Sequence, residues 1–251
     1  AAATLSSAEA DVAAAAAARK AGEDAAAVAA LQIDDEPCTV MLGASGTIAR
    51  STPAALDAWE SRSTSDERTK DDHIVSIFRT TTRSSYGLVT SAGRLVLAHV
   101  VELPAASPQT NVAGGIPADE LIGMTESTDP IPGEHVVAAI PMDQRDDGDP
   151  TPAPLAIGTR AGVVKRWNRE APTTMDSWSV IDLKDGDSVL FAADAADEDR
   201  LVFVASDSSL LTFDAGNVRP QGRTAGGMAG IRLAEGCTAI TFNVVPAGKI
   251  A

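Results

Sequence analysis

The chain has 251 residues, 44% hydrophobic but only 4% aromatic, and its 35 acidic against 20 basic side chains give a formal charge of −15. That length allows one large core plus an appendage rather than several independent domains. The longest apolar run is too short and too Ala-rich to span a bilayer, and no charged leader with a cleavage site opens the chain, so no membrane partner and a cytoplasmic location are expected. Averaged over the whole surface, −15 also disfavours nucleic acid, since neutralising phosphates takes Lys and Arg.

Residues 1–34 form a separate Ala-rich element. Ser6, Ser7 and Glu9 suit a helix start, and the stretch to Ala30 has high helix propensity, although Gly22 interrupts it and few large apolar side chains anchor it. A short helical linker or extension is expected there, ahead of a domain at 35–251. From Val40 onward one pattern is written four times, a few β-formers entering a small-residue turn and leaving as a basic or apolar strand. It reads VMLGASGTIAR (Val40 to Arg50), GLVTSAGRLVL (Gly87 to Leu97), AIGTRAGVVKR (Ala156 to Arg166) and VFVASDSSLLTF (Val202 to Phe213). The turn positions Gly46, Gly93, Gly162 and Ser208 are 47, 69 and 46 residues apart. A period in the forties with strand, tight turn and strand in each unit predicts an all-β, propeller-like disc, because one such unit cannot bury its own apolar face.

Further strands are expected at His73 to Phe78, Val136 to Ile140, Ser188 to Ala192 and Thr238 to Val245, each ahead of the next turn-bearing hairpin. Gly133-Glu134, Gly186-Asp187 and Glu235-Gly236 read as turns at matching positions. Leu103 to Pro132, rich in Pro, Gly, Asn and Ser, reads as an extended connection across the rim and accounts for the one long spacing. Counting on from the fourth turn, only about two strands remain after GRTAGGMAGIRLAEG, so about five blades are expected with the last incomplete and its edge exposed.

Charge is segregated along the chain. Acid concentrates in the first 31 residues, in Asp143 to Asp149 and in Asp194 to Asp199, whereas Arg50, Arg94, Lys165, Arg166 and Arg169 follow turn positions and Arg219, Arg223 and Arg232 follow one another later. A disc with acidic faces and a partly basic rim is expected. No catalytic centre, cofactor or metal site is legible. The three histidines are dispersed, the acidic run at Asp143 lacks the glutamate that closes a calcium loop, and the lone Tyr86 opens a strand, where packing explains it. Cys38 and Cys237 lie far from any CxxC spacing and read as buried thiols. Trp59, Trp167 and Trp178 read as packing residues, with a sugar contact the alternative for Trp167. Gly226, Gly227 and Gly230 lack the strand-turn-helix context of a phosphate cradle and read as close backbone approach between blades.

The segments NVRPQGRTAGGMAGIRLAEG (Asn217 to Gly236), GTRAGVVKR (Gly158 to Arg166) and TSAGRLVLAHVVELP (Thr90 to Pro104) resemble the C-terminal domain of the A subunit of bacterial DNA gyrase and topoisomerase IV. The resemblance runs from about Asp35 to the end, and GRTAGGMAGIRL is its most specific piece. It implies a β-pinwheel whose blades exchange strands and bend duplex DNA around the rim. The partners it implies are an upstream breakage-reunion domain and the ATPase B subunit of a full ATP-dependent enzyme. It also marks a departure, since AALDAWESRSTSDERTKDD, after Pro53, replaces the basic glycine-rich run with which gyrases wrap DNA. A divergent, topoisomerase IV-like role is the expectation, with Arg50, Arg94, Lys165, Arg166, Arg169, Arg219, Arg223 and Arg232 holding phosphates. The competing reading is a protein-interaction module whose acidic faces take a basic partner.

Overall fold

The computed structural model describes residues 34–54, 73–104, 112, 114–124, 131–142 and 152–248, so the Ala-rich start, Trp59 and the acidic run at 143–149 lie outside the described residues. The chain divides into two compact units, Ala1–Glu36 and Pro37–Ala251, and the described part of the second is a propeller-like arrangement of four small sheets.

Each sheet is built on one repeat. The hairpins are β1 (Pro37–Gly43) with β2 (Thr47–Ser51), β4 (Ser85–Thr90) with β5 (Arg94–His99), β8 (Leu155–Thr159) with β9 (Val163–Trp167), and β12 (Arg200–Ala205) with β13 (Leu210–Asp214). Their turns share one geometry. The amide of Gly46, Gly93, Gly162 or Ser208 donates to a carbonyl three residues back at 3.0 Å, and that residue has a φ of +83°, +75°, +79° or +69°. Glycine adopts this region without steric cost, which is why three of the four turns carry it.

A third strand then pairs with the first strand of the hairpin before it: β3 (Ile74–Thr81) with β1, β7 (Val136–Pro141) with β4, β11 (Val189–Asp194) with β8, and β16 (Ala239–Val245) with β12. The sequence order suggests that these strands open the next unit, but the ladders show that they close the previous one. This corrects the expected count. Residues 239–245 complete a fourth sheet rather than begin a fifth, and the described residues form four sheets.

A short segment from the next unit adds to the outer strand of three sheets. β6 (Ile116–Pro117) covers β2, β10 (Ser177–Ser179) covers β5, and β14 (Pro220–Gln221) with β15 (Met228–Ala229) covers β9. The described part of the predicted rim connection thus contains β6, followed by a helix, α1 (Ala118–Met124), whose Ala118, Leu121 and Ile122 are buried. Their i, i+3, i+4 spacing is a helical signal that seven residues make faint.

Facing sheets bury their apolar sides against each other. Val40 and Leu42 meet Leu88 and Val96, Val89 and Leu95 meet Ile157 and Trp167, and Val164 meets Leu201 and Phe203. Trp167 and Trp178 are fully packed, edge to face at 6.3 Å, so the alternative of Trp167 against a sugar does not hold. Cys38 is buried, while Cys237 is only half-buried. The predicted close approach is also present, for a Cβ on Gly227 would lie 2.6 Å from the Val164 carbonyl oxygen and one on Gly230 would lie 2.7 Å from the Phe203 ring. No helix among the described residues is long and apolar enough to cross a membrane.

Candidate nucleic-acid interface

The cations expected on the rim occupy two quite different environments. Lys165 and Arg166, the adjacent pair that follows the third turn, are both inside the protein, at 0% and 1% exposure. Nζ of Lys165 donates to the carbonyls of Arg223 (2.9 Å) and Ala225 (2.7 Å). Arg166 donates through Nη1 to Ala215 and Val218 and through Nη2 to Ala195 and the Asp197 carboxylate, all at 2.7–3.1 Å. Both side chains thereby fasten the segment that crosses from the fourth sheet onto β9. Burial pulls the Lys165 ammonium down to about 8, against the pull of nearby Asp182. A charge in this position presents nothing to a phosphate, and the expectation for these two residues is corrected accordingly.

Arg169 and Arg94 are clamps of the same kind. Arg169 bonds the Ala153 and Pro141 carbonyls at 3.0 Å and pairs with Asp194. Burial pulls its guanidinium down to about 10, still charged at neutral pH. Arg94 pairs with Glu134, which also accepts from the Thr90 hydroxyl at 2.6 Å. Burial raises the Glu134 carboxyl, but these hydrogen bonds outweigh it and hold the group below the usual carboxylate range. Arg50 is half-buried and reaches the Pro104 carbonyl at 3.3 Å, the same reach from β2 to an incoming segment that Arg166 makes from β9. The acidic run at Asp194 to Asp199 is therefore only partly a solvated loop, because two of its carboxylates neutralise Arg166 and Arg169.

Three expected residues remain on the surface. Arg219, Arg223 and Arg232 are all exposed, and all lie in the single segment that covers β9. Arg219 immediately precedes β14, the Arg223 carbonyl holds Lys165, and Arg232 follows Ile231, whose amide donates to the Gly162 carbonyl at 3.1 Å. Exposed Arg160, not among the expected set, stands in that same hairpin turn. The covering segments differ in sign. Residues 217–236 hold three arginines and one glutamate, whereas 168–187, over β5, hold Arg169 and Lys184 against five acids. The third sheet therefore carries a basic outer edge, and its neighbour over β5 does not.

No family model matches the chain. It is similar to the DNA gyrase A subunit of Ureaplasma parvum serovar 3, with 26% identity over 166 residues, 65% of this chain and 18% of that protein. It is likewise similar to the DNA gyrase A subunit of Mycolicibacterium smegmatis, with 28% identity over 181 residues, 70% of this chain and 20% of that protein. The chain thus spans about a fifth of the length of these curated relatives. Among solved structures, the crystal structure of the C-terminal domain of DNA topoisomerase IV superposes with a TM-score of 0.61 over 86% of this chain and 63% of that one, at 21% identity. In sequence and in fold, the chain resembles the C-terminal β-pinwheel domain of the A subunit of bacterial DNA gyrase and topoisomerase IV.

Proposed function

We propose that this domain binds duplex DNA without reading its sequence and bends it, as the C-terminal domain of a type IIA topoisomerase A subunit. The observation that carries the reading is the basic outer edge of the third sheet, where Arg160, Arg219, Arg223 and Arg232 are exposed together on a strand-exchanged segment and its adjoining turn. Guanidinium groups on a rigid edge hold phosphates bidentately and position a duplex while making no base contact. Curving the bound duplex would deliver a second segment to an upstream breakage-reunion domain that works with an ATPase B subunit. That setting implies a cytoplasmic location.

A nicked plasmid ligated with the domain bound tests the bending and wrapping. Without a basic glycine-rich run between Trp59 and Asp72, the linking number should change little at saturation. A large positive-writhe shift per domain would mean that another segment completes a wrap. Absence of duplex binding at low salt would overturn the reading itself.

A further inference from the structure

Lys165 stands at the point where the segment beside β9 leaves the sheet. β14 runs parallel along Arg166 and Trp167, and β15 runs antiparallel along Val163 and Val164. Residues 222–227 turn the chain round between them, opposite Lys165. This turn is closed by the Ala225 amide, which donates to the Gly222 carbonyl at 3.3 Å, and it carries Arg223 at the surface. Nζ of Lys165 donates to its Arg223 and Ala225 carbonyls at 2.9 and 2.7 Å. The Ala225 carbonyl also accepts from the Asp182 amide at 3.2 Å, which ties the turn to the segment over β5.

A buried ammonium directly beneath an exposed arginine is electrostatically unusual. Among the described residues no carboxylate is in ion-pair contact with Lys165. Of the charged groups on the segment over β5, Asp182, Lys184, Asp185 and Asp187, it is Asp182 that pulls on it. Arg223 is the charged group on the turn itself, and Arg166, next along β9, faces the other side of the sheet. β8, which pairs with β9 on its other side, carries no charge from Leu155 to Thr159. Burial outweighs the pull of Asp182 and brings the ammonium down to about 8, so its charge is present at pH 7 and mostly lost by pH 9.

We propose that Lys165 is a positioning residue for duplex binding, and that holding phosphates at Arg223 is coupled to the proton on its buried ammonium. The coupling rests on the DNA-binding role proposed above. Lys165 touches no phosphate and acts through the turn it holds. As an ammonium it makes charge-assisted bonds to the two carbonyls, roughly twice as strong as neutral ones, and so fixes the backbone from which Arg223 projects. A phosphate on Arg223 lies within reach of that charge, since an arginine side chain spans less than a Debye length, about 10 Å at 0.1 M salt. The phosphate therefore favours the ammonium over the amine, and by reciprocity the proton favours the phosphate to the same extent.

The test titrates the whole chain against a fluorescent duplex from pH 7 to pH 9 at constant ionic strength, with calorimetry at pH 8 in buffers of different ionisation enthalpy. With a coupling of about tenfold, affinity should fall about 5-fold between pH 7 and pH 9, and binding at pH 8 should take up about 0.4 proton per domain. Lys165→Met should bind more weakly at pH 7 and lose both the pH dependence and the proton uptake. Asp182→Asn, at an exposed position, removes the pull on the ammonium and should move the midpoint of the pH profile downward with the fold intact. Duplex binding that is independent of pH and takes up no proton would overturn the coupling alone. So would an uptake that Lys165→Met retains, or a midpoint that Asp182→Asn leaves in place. Absence of duplex binding at every pH would instead overturn the DNA-binding role, and the coupling with it.

Discussion

Ser208 stands at the one turn position of four that is not glycine, yet its φ of +69° matches the others. A side chain there costs roughly 1–2 kcal/mol of steric strain, against about 0.5–1 kcal/mol of extra chain entropy that glycine loses on folding. Ser208→Gly should therefore stabilise the protein by about 0.5–1 kcal/mol, read as a higher midpoint in urea at unchanged slope. Lys165 makes a second prediction. Its ammonium titrates near 8 in the folded chain and at the ordinary 10.5 when unfolded, so between those values the unfolded state binds more protons and stability rises with pH. Denaturation midpoints should climb between pH 8 and 9.5, and Lys165→Met should flatten that climb while lowering stability at pH 7, because the Arg223 and Ala225 carbonyls lose their donor. An unchanged slope in the variant would mean that another group titrates there.

The exchanged segment is the element that decides how sheets join. It has little regular structure of its own, and side chains of β9 hold it by its carbonyls. Arg166→Ala removes four donated hydrogen bonds and strands buried carbonyls at about 1–3 kcal/mol each before relaxation. A loss of about 3 kcal/mol is expected, together with faster proteolysis within 215–225. Arg223→Ala alters an exposed side chain in the same segment, so its stability should change by less than about 0.5 kcal/mol while duplex affinity falls. Equal destabilisation by the two substitutions would refute the division into clamp and contact.

For the molecule as a whole, the net charge of −15 and the small number of exposed arginines among the described residues together imply weak, strongly salt-dependent DNA binding. Each phosphate contact contributes about 0.9 to the slope of log affinity against log salt, so roughly four contacts give a slope of about −3 to −4. Replacing Arg219, Arg223 and Arg232 together with Ala should bring the slope to roughly −1 by the same rule. Fluorescence titration of a long duplex at several salt concentrations measures both values, and a slope that the triple variant leaves in place would remove the third sheet's edge from the interface.

The sequence by itself determined the repeat, its turns and the all-β class. These depend on local chemistry, on residues that tolerate positive φ at fixed offsets and on β-branched runs between them, and each unit repeats that chemistry. It also located Arg219, Arg223 and Arg232 in a basic stretch with little acid nearby. Tertiary structure alone decided which strand closes which sheet, because β16 carries no mark in its letters of whether it pairs forward or back, and so the blade count was beyond local reading. Tertiary structure also decided the fate of Lys165 and Arg166. Apart from the Asp197 carboxylate beside Arg166, their partners are main-chain carbonyls 29 to 60 residues away, and a carbonyl has no signature in sequence. A lysine in the interior and one on the rim are spelled alike, and only the folded backbone supplies the acceptors that stabilise the first and the solvent that leaves the second available to a phosphate.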